Sequence, residues 1–189
     1  MKLPFRGDYK LTQSYGVNPE LYKRFGLAGH NGLDHAVPCA TELYAMISGK
    51  VIEATFDEGG YGNYIKIEND KEGALIAHLS KLAVKAGDTV KEGETYIGNS
   101  VTTGNSTGCH THTGYYRKPR DRGNGYAGYI DPTPYLQQQE PMATITQKEL
   151  DSIIKARDSH WNDLQNEKKE TEQLRVQIAE LNKTIETYF

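Results

Sequence analysis

The chain has 189 residues, 37 % of them hydrophobic and 25 % charged, with a formal net charge of −3. That balance fits a folded domain with room for a tail and excludes a wholly disordered chain. A near-neutral charge without a basic cluster argues against nucleic-acid binding, and with no run of about 18 apolar residues no membrane insertion is expected.

In chain order, Met1 to Gly16 lacks the apolar core of a signal peptide, so the chain is expected to start in a cytoplasm. Next comes His30-Asn-Gly-Leu-Asp34, where Gly29 and Gly32 disfavour a helix. An extended segment would put the His30 imidazole and the Asp34 carboxylate on one face. His35 would then face the other side, in a solvated or supporting role. Cys39 and Cys109 are too few for a disulfide framework and form no CxxC, so free thiols are expected.

Strand-like runs rich in β-branched and aromatic residues follow at Lys50 to Thr55, Asn63 to Glu68, Ala74 to Leu79 and Thr95 to Gly98. Glycine-rich turns separate them, including Gly60-Tyr61-Gly62, where Tyr61 is expected beside a groove. Many short strands with such turns predict a mainly β antiparallel sandwich or barrel. His78 lies in the third run. Gly104 and Gly108 frame a turn that delivers His110-Thr-His112, whose two imidazoles share one face of a strand. Two neutral imidazoles and one carboxylate make a catalytic zinc set, with the fourth position left to water. The two patterns supply that count with a histidine to spare.

The composition changes at Gln137. Residues 137–145 read as a linker, and Thr146-Gln-Lys-Glu149 reads as a capping box that opens a helix. From there to Phe189 there is no Gly or Pro. Leu150, Ile153, Arg157, His160, Leu164, Glu167, Thr171, Leu174, Ile178, Leu181, Ile185 and Tyr188 follow one another in steps of three and four. This is a heptad seam, with His160 as a polar position that sets register. Isoleucine and leucine alternate at its two core positions, which favours a parallel two-stranded coil. A homodimer through residues 150–188 is the expectation.

Taken together, His30-Asn-Gly-Leu-Asp34, Gly60-Tyr-Gly-Asn63, Ala77-His-Leu79, Thr103-Gly-Asn-Ser-Thr-Gly108 and His110-Thr-His112 resemble the lysostaphin/LytM-type zinc metallopeptidases. The resemblance runs from about Gly29 to Tyr116. It implies a small antiparallel β-sheet fold with its site in a long groove; that domain is expected at residues 1–136, ahead of the linker and the coiled-coil tail read from the spacing at 146–189. It implies one Zn2+ per chain on His30, Asp34 and His112, with His78 and His110 assisting catalysis. It also implies bacterial peptidoglycan as substrate, cut at glycine bridges or between directly linked stem peptides.

Cys109, Thr111 and Thr113 stand where the family has proline, leucine and an aromatic residue, and Ile76 where tyrosine is frequent. These departures bear on substrate preference and stability. A phage or prophage lysin is the expected setting, released from the host cytoplasm to the cell wall or carried on a virion. The competing expectation is an inactive regulator of a separate amidase, and the intact histidine and aspartate set weighs against it.

Overall fold

The computed structural model describes residues 1–7, 9–137 and 147–188. It divides into two units, Met1–Gln139 and Glu140–Phe189. The first is built on nine strands: β1 (Lys10–Gln13), β2 (Leu33–Ala36), β3 (Glu42–Tyr44), β4 (Gly49–Asp57), β5 (Gly62–Glu68), β6 (Glu72–Leu79), β7 (Thr89–Val90), β8 (Tyr96–Asn99) and β9 (His110–Arg117). Seven form one antiparallel sheet in the order β1-β2-β9-β6-β5-β4-β7, and β3 pairs with β8 in a second. A short helix, α1 (Pro19–Tyr22), runs into a 3-10 turn, Lys23–Phe25.

Alternation along the strands divides the large sheet into two faces. Ile65, Ile67, Ala74 and Ile76 point to one side and meet Leu43 and Ile97 of the small sheet, with Phe5, Met46 and Ile47 closing the layer. Each is essentially fully buried. A buried side chain of this size contributes about 1.5–3 kcal/mol, so this layer is the main source of stability. The opposite face carries a smaller cluster of Leu75, Ala77, Tyr116 and Tyr129. The functional histidines share that second face.

The mainly β antiparallel architecture expected from the sequence is observed, as one large sheet covered by a two-stranded one. Two local expectations are corrected. Cys39 and Cys109 are joined in a disulfide, with Cα atoms 5.2 Å apart. The pairing of β2 with β9 brings them together, which a count of two cysteines could not show. His35 is not solvated: it is buried with its ring 5.4 Å from that of Phe5 and 5.2 Å from that of Tyr9.

The second unit is the helix α2 (Gln147–Tyr188), 42 residues long. Leu174 and Ile178 on the expected seam are more than half exposed, as is Trp161 beside it. The capping threonine Thr146 and the linker from 138 onward lie outside the described residues, as do the side chains of Leu150, Ile153, Leu181, Ile185 and Tyr188.

Candidate metal centre

Strand pairing sets the site. β2 and β9 run antiparallel with Asp34 opposite His112, and His112 is in turn opposite Ala77 of β6. Directly opposed residues of an antiparallel pair have Cβ atoms about 4.5–5.5 Å apart, close enough for both side chains to reach one atom. Asp34 Oδ1 and His112 Nδ1 are 2.9 Å apart. His30 comes from the loop before β2, so only the Asp34 half of that motif is a strand. Gly32 permits the approach, because a Cβ there would lie 2.4 Å from the Thr113 carbonyl oxygen and 2.7 Å from the His112 ring. His30 Nε2 consequently lies 2.9 Å from His112 Nδ1 and 3.2 Å from Asp34 Oδ1.

This triangle suits a cation. His30 Nδ1–H donates to the Ser14 carbonyl, 3.0 Å away, which leaves the His30 Nε2 lone pair facing the centre. Three electron-rich atoms therefore meet with at most one proton to share. Ligands at about 2.0–2.1 Å from a tetrahedral zinc are roughly 3.3 Å from one another, close to the spacing found. His112 Nε2 is buried with no partner among the described residues, so this ring is bonded only through Nδ1. His30, Asp34 and His112 are all buried. Burial alone would raise the Asp34 pKa, but hydrogen bonds from His112 and His30 outweigh it and hold the carboxyl well below the usual range. Burial pulls the His112 imidazole down, favouring the neutral form that binds metal.

Two more imidazoles face the same space. His110 Nε2 is 4.0 Å from Asp34 Oδ2. Its Nδ1–H donates to the Gly108 carbonyl at 2.8 Å, and Ser106 Oγ, 3.1 Å from that nitrogen, donates to the same carbonyl. The His78 ring is centred 4.4 Å from that of His110, and its Nδ1–H donates to the Thr103 carbonyl at 2.8 Å. Both rings thus turn an unprotonated Nε2 to the open side. Burial, and then the neighbouring His112 and His110, lower the His78 pKa to about 4.

Asp34, His78, His110 and His112 line a cleft of about 440 Å³, and His30 stacks on Tyr22, which lines it too. Leu21, Tyr22 and Phe25 wall it on one side, and Tyr61 with the 105–107 turn on the other.

Residues 28–125 match the family described as peptidase family M23, over half of the chain. The chain belongs to peptidase family M23. It is 39 % identical over 133 residues to lysostaphin of Staphylococcus staphylolyticus, covering 68 % of this chain and 26 % of that protein. Over 87 residues it is 39 % identical to the peptidoglycan DD-endopeptidase ShyA of Vibrio cholerae, covering 46 % of this chain and 20 % of ShyA. The chain thus spans about a quarter or less of these curated relatives. The catalytic domain of lysostaphin from Staphylococcus simulans superposes with a TM-score of 0.57 at 35 % identity, over 67 % of this chain and 91 % of that one.

The five residues named from the sequence come together: His30, Asp34 and His112 form the triangle, and Asp34, His78, His110 and His112 line the cleft. Two of its residues were not foreseen. Tyr22 stacks on His30 with ring centroids 5.2 Å apart, and its hydroxyl accepts from Gln13 Nε2 at 2.8 Å. Asn31 Nδ2 donates to the Tyr61 hydroxyl at 2.7 Å and so ties the metal-site loop to the opposite wall. Asn31 stands inside the His30 to Asp34 motif and was open to inspection there. Tyr22 lies in a four-residue helix with no periodic signal.

Proposed function

We propose that the chain is a zinc-dependent endopeptidase that hydrolyses peptide bonds in bacterial peptidoglycan. The observation that carries this reading is the convergence of His30 Nε2, Asp34 Oδ1 and His112 Nδ1 beside two further imidazoles whose Nε2 atoms face the same cleft. When bound on those three residues, zinc supplies Lewis acidity and acidifies water at neutral pH.

The protein's own groups carry the protons. His110 Nε2 accepts a proton as water attacks the scissile carbonyl carbon. It returns that proton to the departing amine as the C–N bond breaks, so the same ring acts as base and then as acid. The Gly108 carbonyl holds the Nδ1 proton and favours the imidazolium through this transfer. His78, its ring centred 4.4 Å from that of His110, stabilises negative charge on the carbonyl oxygen when its Nε2 carries a second proton. The Thr103 carbonyl fixes its tautomer in the same way.

The setting we propose is phage-mediated lysis, with α2 self-associating as a coiled-coil assembly element. The cleavage is tested by incubating purified peptidoglycans of different cross-link types with the native protein and with His110→Ala. New amine termini from the native protein alone, abolished by a chelator and restored by zinc, are expected. Mass analysis of the fragments then names the bond. No release from any peptidoglycan by zinc-loaded protein would overturn the reading.

A further inference from the structure

We infer that the Cys39–Cys109 disulfide is a thiol-controlled clamp that positions His110. β9 begins at His110, and its pairing with β2 ends there at Ala36. On its other side it has only an isolated bridge to Val101. Immediately upstream runs the turn 102–108, much of it exposed, with glycine at both 104 and 108. The Gly108 carbonyl that accepts from His110 Nδ1 is the residue next to Cys109. Pinning Cys109 therefore fixes the acceptor that sets the His110 tautomer and ring orientation.

The other end of the bond is a firm anchor. The Cys39 loop is tied to Ser100, which is 1 % exposed. Ser100 Oγ donates to the Pro38 carbonyl and accepts from the Thr41 amide, while its carbonyl accepts from the Ala40 amide. Asn99 Nδ2 adds a bond to the Ala40 carbonyl. The disulfide thus joins a loop held by these bonds, and by a further one from the Ser100 amide to the Thr41 carbonyl, to the flank of a glycine-bounded turn. His112, by contrast, is held within the ladder by partners on both sides. The clamp therefore acts on the proton-transfer histidine and leaves the metal ligands in place.

Cys39 is exposed and Cys109 partly so, which lets thiols reach the bond. Reduction by two thiols opens it to two cysteines and frees the 106–109 segment, while Thr103 stays tied through its Oγ1 to the Leu79 carbonyl and the Asn63 amide. Re-formation needs a low-molecular-weight or protein disulfide as oxidant. The Cys39 thiolate attacks that disulfide and releases one thiolate. The Cys109 thiolate then displaces the second, and the two electrons end on the donor as two thiols. The clamp is thus open in a thiol-reducing compartment and closed outside it.

The inference rests on the endopeptidase reading for its rate measurement only, so the test has a second readout. Zinc-loaded full chain, labelled with 15N at histidine, is compared oxidised, reduced by a non-chelating phosphine, and as Cys39→Ser/Cys109→Ser. Expected on reduction is a loss of about tenfold or more in kcat, with KM and zinc content held, because small misplacement of a reacting group costs that much. The His110 Nδ1–H signal should broaden while that of His78 stays sharp. The serine variant should match the reduced protein and ignore glutathione disulfide.

Identical His110 signals in oxidised and reduced protein would overturn the clamp. So would a collapse of the whole spectrum or a parallel loss of zinc, which would make the bond a general staple. If no form cleaves peptidoglycan, the endopeptidase reading fails while the His110 signals still decide the clamp.

Discussion

Replacing His35 by Phe should make the protein resistant to mild acid. His35 is 3 % exposed, packed against Phe5 and Tyr9, and its Nδ1 is buried without a partner among the described residues. Burial lowers its pKa from 6.5 to about 4, and the Asp34 charge only partly opposes this. The sign follows from proton counting. Between those two values the unfolded chain binds a proton on His35 that the folded chain does not. The stability of the neutral ring is therefore fully present above pH ~6.5 and is lost as pH falls towards ~4. At about 1.4 kcal/mol per pH unit the loss reaches roughly 2 kcal/mol by pH 5. Phe keeps the ring and removes the titration. Urea unfolding of metal-free native protein and His35→Phe, from pH 7.5 to 4.5, should give stability curves that diverge by about 2 kcal/mol at pH 5. A constant repacking offset does not affect that slope. Curves that stay parallel over the range would refute the reasoning.

Asp34→Asn removes the only anion of the metal triangle and both contacts of its carboxylate with His30 and His112. Even loss of a group that merely orients a ligand costs about 10–100-fold in metal affinity, so zinc binding should weaken by at least about a hundredfold in competition with a chromophoric chelator. Native-like affinity would remove Asp34 from the ligand set. In α2, Asp163 and Lys168, and Glu170 and Arg175, are opposite charges five residues apart flanking the seam, where a parallel two-stranded coil would pair them between helices. Charges placed there by Leu174→Asp with Ile178→Asp should weaken the proposed dimer more than about a hundredfold in sedimentation equilibrium. A native chain that is monomeric at micromolar concentration with α2 helical would end the dimer proposal.

The strands were legible because their chemistry is local: β4, β5, β6 and β8 fall within a few residues of the β-branched runs that announce them. The pairing of His110 with His112 on one face was likewise a period-two argument that the strand obeys. Relations between distant segments were hidden. Nothing near Cys39 points to Cys109, 70 residues away, because their proximity is a property of the β2–β9 register. His35 was placed correctly on the face opposite Asp34. Its environment was misjudged, because Phe5 and Tyr9 come from the start of the chain to cover it.

His78 shows most clearly what local pattern cannot supply. In a regular strand it would alternate with Ala77, which belongs to the groove-side cluster, and so would point into the core beside Ile76. It does not. The β5–β6 register shifts between Asn63 and Ile65, so Asn63 pairs with Leu79 but Ile65 with Ile76, leaving an extra residue on β6. His78 takes up that bulge with φ of +61°, a left-handed conformation that costs a non-glycine residue about 1–2 kcal/mol. Its amide is still satisfied by the Tyr61 carbonyl at 2.9 Å, and its carbonyl accepts from Val101 at 3.1 Å. The bulge reverses the side chain and sets the imidazole beside His110 on the groove face. Gly62 makes the same corner possible from the facing strand: its own φ is +60°, and a Cβ there would lie 2.5 Å from the Thr103 backbone. Thr103 in turn offers the carbonyl that holds His78 Nδ1. The glycine the sequence marks as a turn is thus what allows strained β6 and the 103–108 turn to close on one histidine. The bulge thereby turns toward the cleft a side chain that regular alternation would have sent into the core.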